Sequence, residues 1–138
     1  MTFQRTFALL FAALLALGAL AQQGAKQRVI FQVSDADPAK WNLALNNARN
    51  AQAELGKDNV QIEIVAYGPG LGMLKADSLV EARLAQALGD SIALHACENT
   101  MTNTKTTKAD MYSGISYVTS GVTHLMKRQR EGWAYIRP

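Results

Sequence analysis

The sequence predicts one α/β domain in which a mostly parallel sheet is covered by helices on both faces. The chain has 138 residues, a length typical of one domain rather than two. Apolar residues make up 49% of it and charged residues 18%, a balance that excludes an intrinsically disordered protein. From residue 28 onward, short β-type runs alternate with helical patterns. Strands separated by helices do not pair as hairpins, so the sheet is expected to be parallel.

Residues 1–21 have the features of a cleavable secretory signal peptide. The apolar run at residues 7–21 has no charge, follows the single cation Arg5 and ends in the small-residue stretch Ala19-Leu20-Ala21. It is shorter than the roughly 20 apolar residues that a membrane span needs, which favours cleavage over an uncleaved N-terminal anchor. The mature protein is therefore expected in the periplasm, without attachment to a membrane.

The rest of the chain is predicted to consist of a flexible leader, residues 22–27, and one domain, residues 28–138. Lys and Arg number 14 and Asp and Glu 11 in the whole chain, so the excess of positive charge is too small to indicate a nucleic-acid partner. The one cysteine, Cys97, excludes an intramolecular disulfide. A lone thiol in an exported protein is unusual, because exported proteins mostly hold their cysteines in disulfides.

The first two strands and the helix between them have clear start and stop signals. Arg28–Val33 is rich in β-branched and aromatic residues, which predicts strand one. Asp37 suits the N-cap of a helix over residues 38–55, and a proline stands at the first helical position. Residues 60–67 predict strand two, which becomes fully apolar as a strand entering a covered sheet would. The glycine-rich residues 68–72 indicate a loop.

Two capping boxes organise the second half of the chain. Ser78 and Glu81 form one, which predicts a second helix from residue 78 to Gly89, and Thr107 and Asp110 form the other. The further elements predicted in this half are strand three at 91–96, a short helix near 108–113, strand four at 115–119, helix four at 121–131 and strand five at 133–136.

The candidate functional residues follow the first three predicted strands. In open parallel sheets the chemistry usually lies at the carboxyl ends of the strands. Three notable segments fall there, at residues 34–37, 68–77 and 97–101. The sequence therefore predicts a site formed by these segments at one edge of the sheet.

Cys97 is the strongest candidate for a reacting residue. It falls at the end of strand three, and a helical turn beginning at Glu98 or Asn99 would direct free amides and a positive dipole end toward its thiolate. A thiolate is the nucleophile of thiol chemistry, and with such amides the thiol is predicted to be reachable by solvent and to have a pKa below the free value of about 8.5. The alternative is a buried cysteine that only packs, and position alone leaves both interpretations open.

Three ionisable side chains near Cys97 are candidates for assisting it. His95 shares a strand face with Cys97 if both residues are extended. An imidazolium there would lower the pKa of the thiol and a neutral imidazole would act as its base, whereas the Glu98 carboxylate would raise that pKa. Lys75 would steady an anion, although a solvated lysine is the more ordinary interpretation. Asp35 is the free carboxylate after strand one.

Neither a metal site nor a cofactor is expected. Cys97, His95 and His124 show none of the spacings typical of metal ligands. Gly68 and Gly70 belong to a glycine run that matches neither the dinucleotide-binding nor the phosphate-binding loop motif. This run is expected to let the backbone pass close to a neighbouring segment.

With Cys97 in place, the pattern resembles the DsrE/DsrF-like family, in particular its small exported single-domain members. The residues that carry the resemblance are Arg28–Asp37 (RVIFQVSDAD), Asn59–Asp77 (NVQIEIVAYGPGLGMLKAD), Ala96–Met101 (ACENTM), Gly114–Val118 (GISYV) and Val122–Pro138 (VTHLMKRQREGWAYIRP). The resemblance implies a three-layer α/β/α domain with a five-stranded parallel sheet. It also implies a homo-oligomer, which agrees with the apolar residues of the two short late strands, since short strands at a sheet edge need cover.

The resemblance further implies a role in sulfur relay. Better-understood relatives carry sulfane sulfur as a cysteine persulfide and work with thiol or sulfur-carrier proteins, and Cys97 is the residue here that can take the carrier role. The alternative is a non-catalytic oligomeric module that binds a small ligand or a structural protein, with Cys97 as a packing residue. The predicted site has Cys97 as the reacting thiol and a set of binding residues around it: Asp35, Gly68, Gly70, Lys75, His95, Glu98, Asn99 and Thr100.

Overall fold

The computed structural model describes residues 26–138. The predicted signal peptide and most of the predicted leader lie outside the described residues. The leader ends earlier than expected, because Gln27 is already paired with Val60 as the first residue of the first strand. Within residues 26–138, every helix is too short or too polar to cross a membrane.

In the described part of the chain, five strands alternate with four α-helices and two 3₁₀ helices. In chain order the elements are β1 (Gln27–Val33), α1 (Pro38–Leu55), β2 (Val60–Ala66), a first 3₁₀ helix (Gly68–Leu74), α2 (Glu81–Gly89), β3 (Ala93–Cys97), α3 (Glu98–Asn103), a second 3₁₀ helix (Lys108–Asp110), β4 (Ser116–Val118), α4 (Gly121–Arg130) and β5 (Ala134–Ile136).

The five strands form one parallel sheet in the order β4-β3-β2-β1-β5. This arrangement confirms the predicted fold class. The two three-residue strands β4 and β5 lie at the two edges of the sheet, and all of β5 is exposed. The long strand β1 is an interior strand, because β2 pairs with it on one side and β5 on the other.

Helices cover both faces of the sheet. Adjacent residues of a strand point to opposite faces, so the apolar pair Ile30 and Phe31 serves two cores. Phe31 belongs to the larger core, in which Trp41 of α1 also lies. Ile30 belongs to a smaller core with Leu125 of α4 and Trp133. The molecule therefore has three layers, with α1 and α2 on one side of the sheet and α4 on the other.

Helix starts follow local side-chain chemistry at several predicted positions. The Asp37 carboxylate accepts a hydrogen bond from the Ala39 N–H at 2.9 Å, and α1 spans the predicted residues 38–55. Ser120 caps α4 in the same way, as predicted. The capping box of Thr107 and Asp110 also forms, although it opens a single 3₁₀ turn rather than a helix to residue 113.

Two predictions about the segment between β2 and α2 are wrong. Residues 68–74 form a 3₁₀ helix rather than an open loop, because Leu71, Met73 and Leu74 are apolar and pack into the core. The helix predicted from residue 78 begins only at Glu81. The Ser78 hydroxyl accepts a hydrogen bond from the Val80 N–H at 3.3 Å and thereby stabilises a turn that precedes the helix.

Gly70 confirms the predicted close approach of backbones. A Cβ atom at this position would lie 2.3 Å from the carbonyl oxygen of Val33, which is far inside van der Waals contact. The first 3₁₀ helix therefore passes directly against the carboxyl end of β1. This contact keeps the segment after β2 at the edge of the sheet where the candidate site lies.

Candidate functional site

Cys97 lies where a strand ends and a helix begins. It is the last residue of β3, its backbone is extended, and it occupies the N-cap position of α3. The helical turn predicted after Cys97 is present, since α3 starts at Glu98. The first N–H groups of α3, which have no acceptor within the helix, therefore follow directly after Cys97.

A second helix contributes to the same sulfur. The N–H of Gly121, the first residue of α4, donates a hydrogen bond to Cys97 Sγ at 3.3 Å. Burial opposes ionisation of the thiol, but hydrogen bonds from the Thr100 hydroxyl and from the amides of Gly121, Thr100 and Asn99 outweigh it and lower the pKa of Cys97. The N-termini of α3 and α4 thus converge on one thiol and favour its thiolate.

Thr100 and Gly68 link the first 3₁₀ helix to this sulfur. The Gly68 N–H donates to Thr100 Oγ1 at 2.9 Å. A hydroxyl that already accepts one hydrogen bond keeps its own proton free to donate, and the hydrogen bond from Thr100 is one of the contacts that lower the pKa of Cys97. Gly68 has φ +53, in the left-handed region that favours glycine. The predicted site residues Gly68 and Thr100 are therefore hydrogen-bonded to each other beside Cys97.

Gly121 and Tyr67 fix the start of α4 against the sheet. A Cβ atom on Gly121 would lie 2.8 Å from Tyr67 Cδ1, so only glycine fits at this position without a shift of the ring. The Asn99 N–H donates to the Thr119 carbonyl at 3.1 Å and joins α3 to the segment that leads into α4. Sequence reasoning did not identify Gly121 or Tyr67, because both belong to parts of the chain far from Cys97.

The prediction that Cys97 is reachable by solvent is wrong for the single chain. The residue is only 4% exposed, and its Sγ lies 4.0 Å from the Thr119 carbonyl oxygen. The sulfur is covered because Gly121, Thr119 and Thr100 close around it from two helix starts. A reagent or substrate therefore reaches Sγ only when the groups that cover it move.

The predicted site residues Glu98 and Lys75 interact with residues other than Cys97. Glu98 Oε1 lies 3.8 Å from Lys108 Nζ in an exposed ion pair. Lys75 lies at the far end of the first 3₁₀ helix, where it forms an antiparallel bridge with Met111, and its charge helps lower the pKa of Asp110. Neither side chain takes part in the hydrogen bonds to Cys97 among the described residues.

Asp35 is ion-paired rather than free. Its Oδ2 lies 3.0 Å from Lys40 Nζ and 3.7 Å from Arg137 Nη2. The hydrogen bond from Lys40 lowers the pKa of Asp35. Asp35 does lie at the predicted edge of the sheet, since it follows the last residue of β1, Val33, by two residues.

A buried polar cluster lies under α4, on the same sheet face as Cys97. Glu63, in the middle of β2, is only 3% exposed. Its Oε2 lies 2.8 Å from His124 Nε2, and Arg128 donates to both carboxylate oxygens, at 3.0 Å through Nε and 2.7 Å through Nη2. His95 Nε2 lies 3.5 Å from the same Oε2. Glu63, His95 and His124 are the described residues that could hold a metal ion.

Glu63 is charged in spite of its burial. Burial raises the pKa of this carboxyl, but the neighbouring His95, Arg128 and His124 side chains outweigh burial and lower the pKa to about 2. Arg128 also pairs with Glu131 at 2.8 Å. The cluster therefore joins β2, β3 and α4 through charges that water screens much less than it screens charges on the surface.

Comparison with known proteins identifies a structural relative. No family model matches the chain, and no curated protein matches it. The chain is similar to the protein of unknown function MTH1491 from Methanobacterium thermoautotrophicum, with 37% sequence identity and a TM-score of 0.78. The match covers 82% of this chain and 100% of that chain. The chain belongs to the MTH1491 family.

The fold of the MTH1491 family extends to more distant proteins. The conserved protein of unknown function BT1422 from Bacteroides thetaiotaomicron is 15% identical and has a TM-score of 0.66, and the match covers 81% of this chain and 95% of that chain. At this identity the likeness shows the fold alone. The chemistry of this member of the MTH1491 family therefore has to follow from its own side chains.

Two signals in this MTH1491-family sequence point to the buried cluster that sequence reasoning missed. Glu63 is the one charged residue in the strand Val60–Ala66, and a charge in a strand covered on both faces needs a partner. His124 and Arg128 are one helical turn apart and therefore lie on one face of α4. Only the order of strands in the sheet, however, shows that His95 joins them.

Proposed function

We propose that this protein is an exported thiol protein that accepts sulfane sulfur on Cys97 and passes it to an acceptor thiol. The observation that carries the proposal is the position of Cys97 Sγ at the N-cap of α3 with a hydrogen bond from the first amide of α4. Two helix N-termini stabilise a thiolate. A cysteine that only packs in the core stays neutral and does not need this stabilisation. The resemblance to the DsrE/DsrF-like family, which the sequence motif around Cys97 carries, supports sulfur as the cargo.

The accepting step is a thiol exchange without net oxidation. The Cys97 thiolate attacks the outer sulfur of a persulfide R–S–SH, a new S–S bond forms to Cys97, and the S–S bond of the donor breaks. The donor leaves as R–S⁻ and the transferred sulfur keeps its proton, which gives Cys97–S–SH. With thiosulfate as the donor, the leaving group is sulfite and the product is the deprotonated persulfide.

The passing step uses the same site in reverse. The thiolate of an acceptor, a thiol or a sulfur-carrier protein, attacks the outer sulfur of the Cys97 persulfide, and Cys97 leaves as a thiolate. A thiol with a lowered pKa is a better leaving group, and the pKa of Cys97 is lowered by Thr100 and by the surrounding amides. The hydrogen bonds to Sγ therefore assist both steps.

The experiment that tests the function is the intact mass of protein purified from the periplasm, measured with and without a reductant. We expect a chain that begins near Gln22 and carries the mass of one additional sulfur atom, which the reductant removes. A chain that begins at Met1 would contradict export with cleavage. Material that never gains sulfur, even after incubation with thiosulfate or glutathione persulfide, would contradict the carrier function.

The second candidate is a non-catalytic oligomeric module that binds a small ligand, with Cys97 as a packing residue. The low exposure of Cys97 favours it. The two functions differ in what iodoacetamide does to the folded protein. A sulfur carrier is alkylated in its native state, whereas a packing cysteine reacts only when the protein unfolds.

The pH dependence of that alkylation is a separate prediction. The alkylation rate of native Cys97 is expected to rise with pH and to reach half of its maximum below the value of about 8.5 for a free cysteine. A chelator is added so that no metal ion blocks the thiol. Gly121→Ala is expected to raise the midpoint, because its Cβ would lie 2.8 Å from the Tyr67 ring and would displace the amide that donates to Sγ. The measurement is the alkylation rate between about pH 5 and about pH 10, a range that spans the free value.

Gly89→Ala is the matched control for this measurement, since a Cβ atom at Gly89 would meet nothing within 4 Å. It should leave the midpoint unchanged. A midpoint at the free value in the wild type would show that the amides do not activate Cys97. An unchanged midpoint in Gly121→Ala would show that α4 is not the source of the activation.

The proposal includes a homo-oligomer. The edge strand β5 is exposed, and a groove of about 410 Å³ lies between it and α1, lined by apolar residues that include Phe31, Leu55 and Ile136. Leu55 and Ile136 are each 41% exposed. An exposed apolar edge of this kind needs cover. We expect light scattering to give a multiple of the mass of one chain, and the mass of a single chain would contradict the oligomer.

A further inference from the structure

Both histidines of this chain lie at the same buried carboxylate, that of Glu63. One of them, His95, belongs to β3 and the other, His124, to α4. One ring nitrogen of His95, one ring nitrogen of His124 and a carboxylate oxygen of Glu63 all lie within 4.8 Å of one another. Three elements of the fold thus bring three ligand atoms to one point.

His95 is incompletely satisfied in this arrangement. Both of its ring nitrogens are buried and make no hydrogen bond among the described residues, and the nearest acceptor to Nε2 is Glu63 Oε2 at a long 3.5 Å. A buried polar atom without a partner is costly, and such atoms are rare in native proteins. The His95 and His124 rings are tilted by 51° with their centroids 4.9 Å apart, so they are not stacked face to face. A cation between the two histidine rings and Glu63 would give one of these nitrogens, Nε2 of His95, a partner.

The chemistry of the three ligands selects the kind of cation. Two imidazoles and one carboxylate suit zinc and other late divalent transition metals, whereas magnesium and calcium prefer oxygen ligands alone. For metal–ligand bonds of about 2.1 Å, tetrahedral geometry places the ligand atoms roughly 3.4 Å apart. The distances from Glu63 Oε2 to the histidine nitrogens are 2.8 Å for His124 and 3.5 Å for His95. The first pair would therefore have to separate by about 0.6 Å, whereas the second is already within about 0.1 Å of the tetrahedral spacing.

Arg128 is the group that opposes a cation here. Its guanidinium holds Glu63 and carries the same sign of charge as a metal ion. It also has partners of its own, because Nη1 lies 2.8 Å from Glu131 and the guanidinium lies 4.8 Å over the Trp133 ring. It can therefore loosen its contact with Glu63 without becoming an unpaired charge.

We propose that Glu63, His95 and His124 bind one divalent transition-metal ion of the zinc class, with Arg128 limiting its affinity. Three protein ligands leave a further coordination position for water or an exogenous ligand. The site lies on the same face of the sheet as Cys97 and is distinct from it. The proposal does not depend on sulfur transfer by Cys97.

The test is a titration of the chelator-treated full chain with Co²⁺, followed by its visible absorption, and with Zn²⁺ in competition. One equivalent of Co²⁺ is expected to bind, and Zn²⁺ is expected to displace it. His95→Gln and His124→Gln are each expected to weaken binding by at least about tenfold, as the loss of a ligand should. Glu54→Gln, which removes an exposed carboxylate on α1, is the matched control and is expected to change nothing.

Two further variants distinguish an ion at Glu63 from an ion bound elsewhere on the chain. Arg128→Gln removes the opposing charge and is expected to tighten binding by about tenfold or more. Cys97→Ala is expected to bind Co²⁺ as the wild type does. Binding that is lost in Cys97→Ala would place the ion at the thiol, and binding that is unaffected by Arg128→Gln would place it away from Glu63. Either result would overturn the proposal.

A measurement on the wild type covers the case in which the histidine variants do not fold. Because the chain has two histidines, the imidazole region of its proton NMR spectrum is simple to follow. One equivalent of Zn²⁺ is expected to shift the signals of both rings together. Signals that stay in place at several equivalents, or only one ring that moves, would overturn the site.

Discussion

Replacing Cys97 with serine is expected to abolish the uptake of sulfane sulfur. Serine is close to cysteine in size, and its hydroxyl can still accept the hydrogen bond from the Gly121 N–H, so the variant should fold. A hydroxyl, however, neither ionises near neutral pH nor displaces a thiolate from a persulfide. After incubation with glutathione persulfide, the intact mass of Cys97→Ser should remain unchanged while the wild type gains one sulfur atom.

Thr100→Val refines this expectation, because it keeps the thiol and removes one of its hydrogen-bond donors. The transfer rate should fall by about fivefold, which corresponds to the loss of one hydrogen bond worth roughly 1 kcal/mol. Uptake of sulfur by Cys97→Ser would show that the donor reacts elsewhere in the protein. A transfer rate that Thr100→Val leaves unchanged would mean that the hydroxyl does not stabilise the thiolate.

Replacing Arg128 with alanine is expected to destabilise the protein by about 3–5 kcal/mol, the cost of removing one partner of a buried ion pair. Glu63 would then remain charged and buried with only the histidines beside it. The contact of Arg128 with the Trp133 ring would also be lost. Urea unfolding followed by tryptophan fluorescence measures the change, because Trp133 lies in the affected core.

Arg130→Ala is the control, since Arg130 is exposed on the same helix and its removal should change the free energy of unfolding by no more than about 0.5 kcal/mol. A double variant, Glu63→Leu with Arg128→Met, should recover part of the lost stability because no charge is left unpaired. If Arg128→Ala unfolds at the same urea concentration as Arg130→Ala, the cluster does not hold α4 on the sheet.

The parts of the fold that local chemistry determines were predictable from the sequence. The boundaries of α1 follow from Asp37, Pro38 and Gly56, each of which acts on its own immediate neighbours. The start of α2 was not predictable in this way. Ser78 forms a turn at a point where the preceding residues are drawn into the core, and that burial depends on strands distant in the sequence.

In the candidate site, too, the features set by neighbouring residues were predictable and those set by distant strands were not. Cys97 at the junction of β3 and α3 was predictable, because an apolar strand ends there and helix-compatible residues follow. The donor Gly121 and the ring of Tyr67 were not, since they reach Cys97 only through the order of the strands. Neither was the distance from His95 to Glu63, which depends on the register that places β3 beside β2.

The pairing of β5 with β1 determines when this chain can finish folding. β1 lies near the beginning of the domain and β5 near its end, and further contacts join the same two regions, including those of Arg28 with Glu131 and of Gln32 with Tyr135. Contacts between residues so distant along the chain slow folding, because a long loop has to close before they form. Until the residues of β5 are available, this edge of β1 has no strand to pair with. Truncation of the last few residues would act on the beginning of the domain as much as on its end.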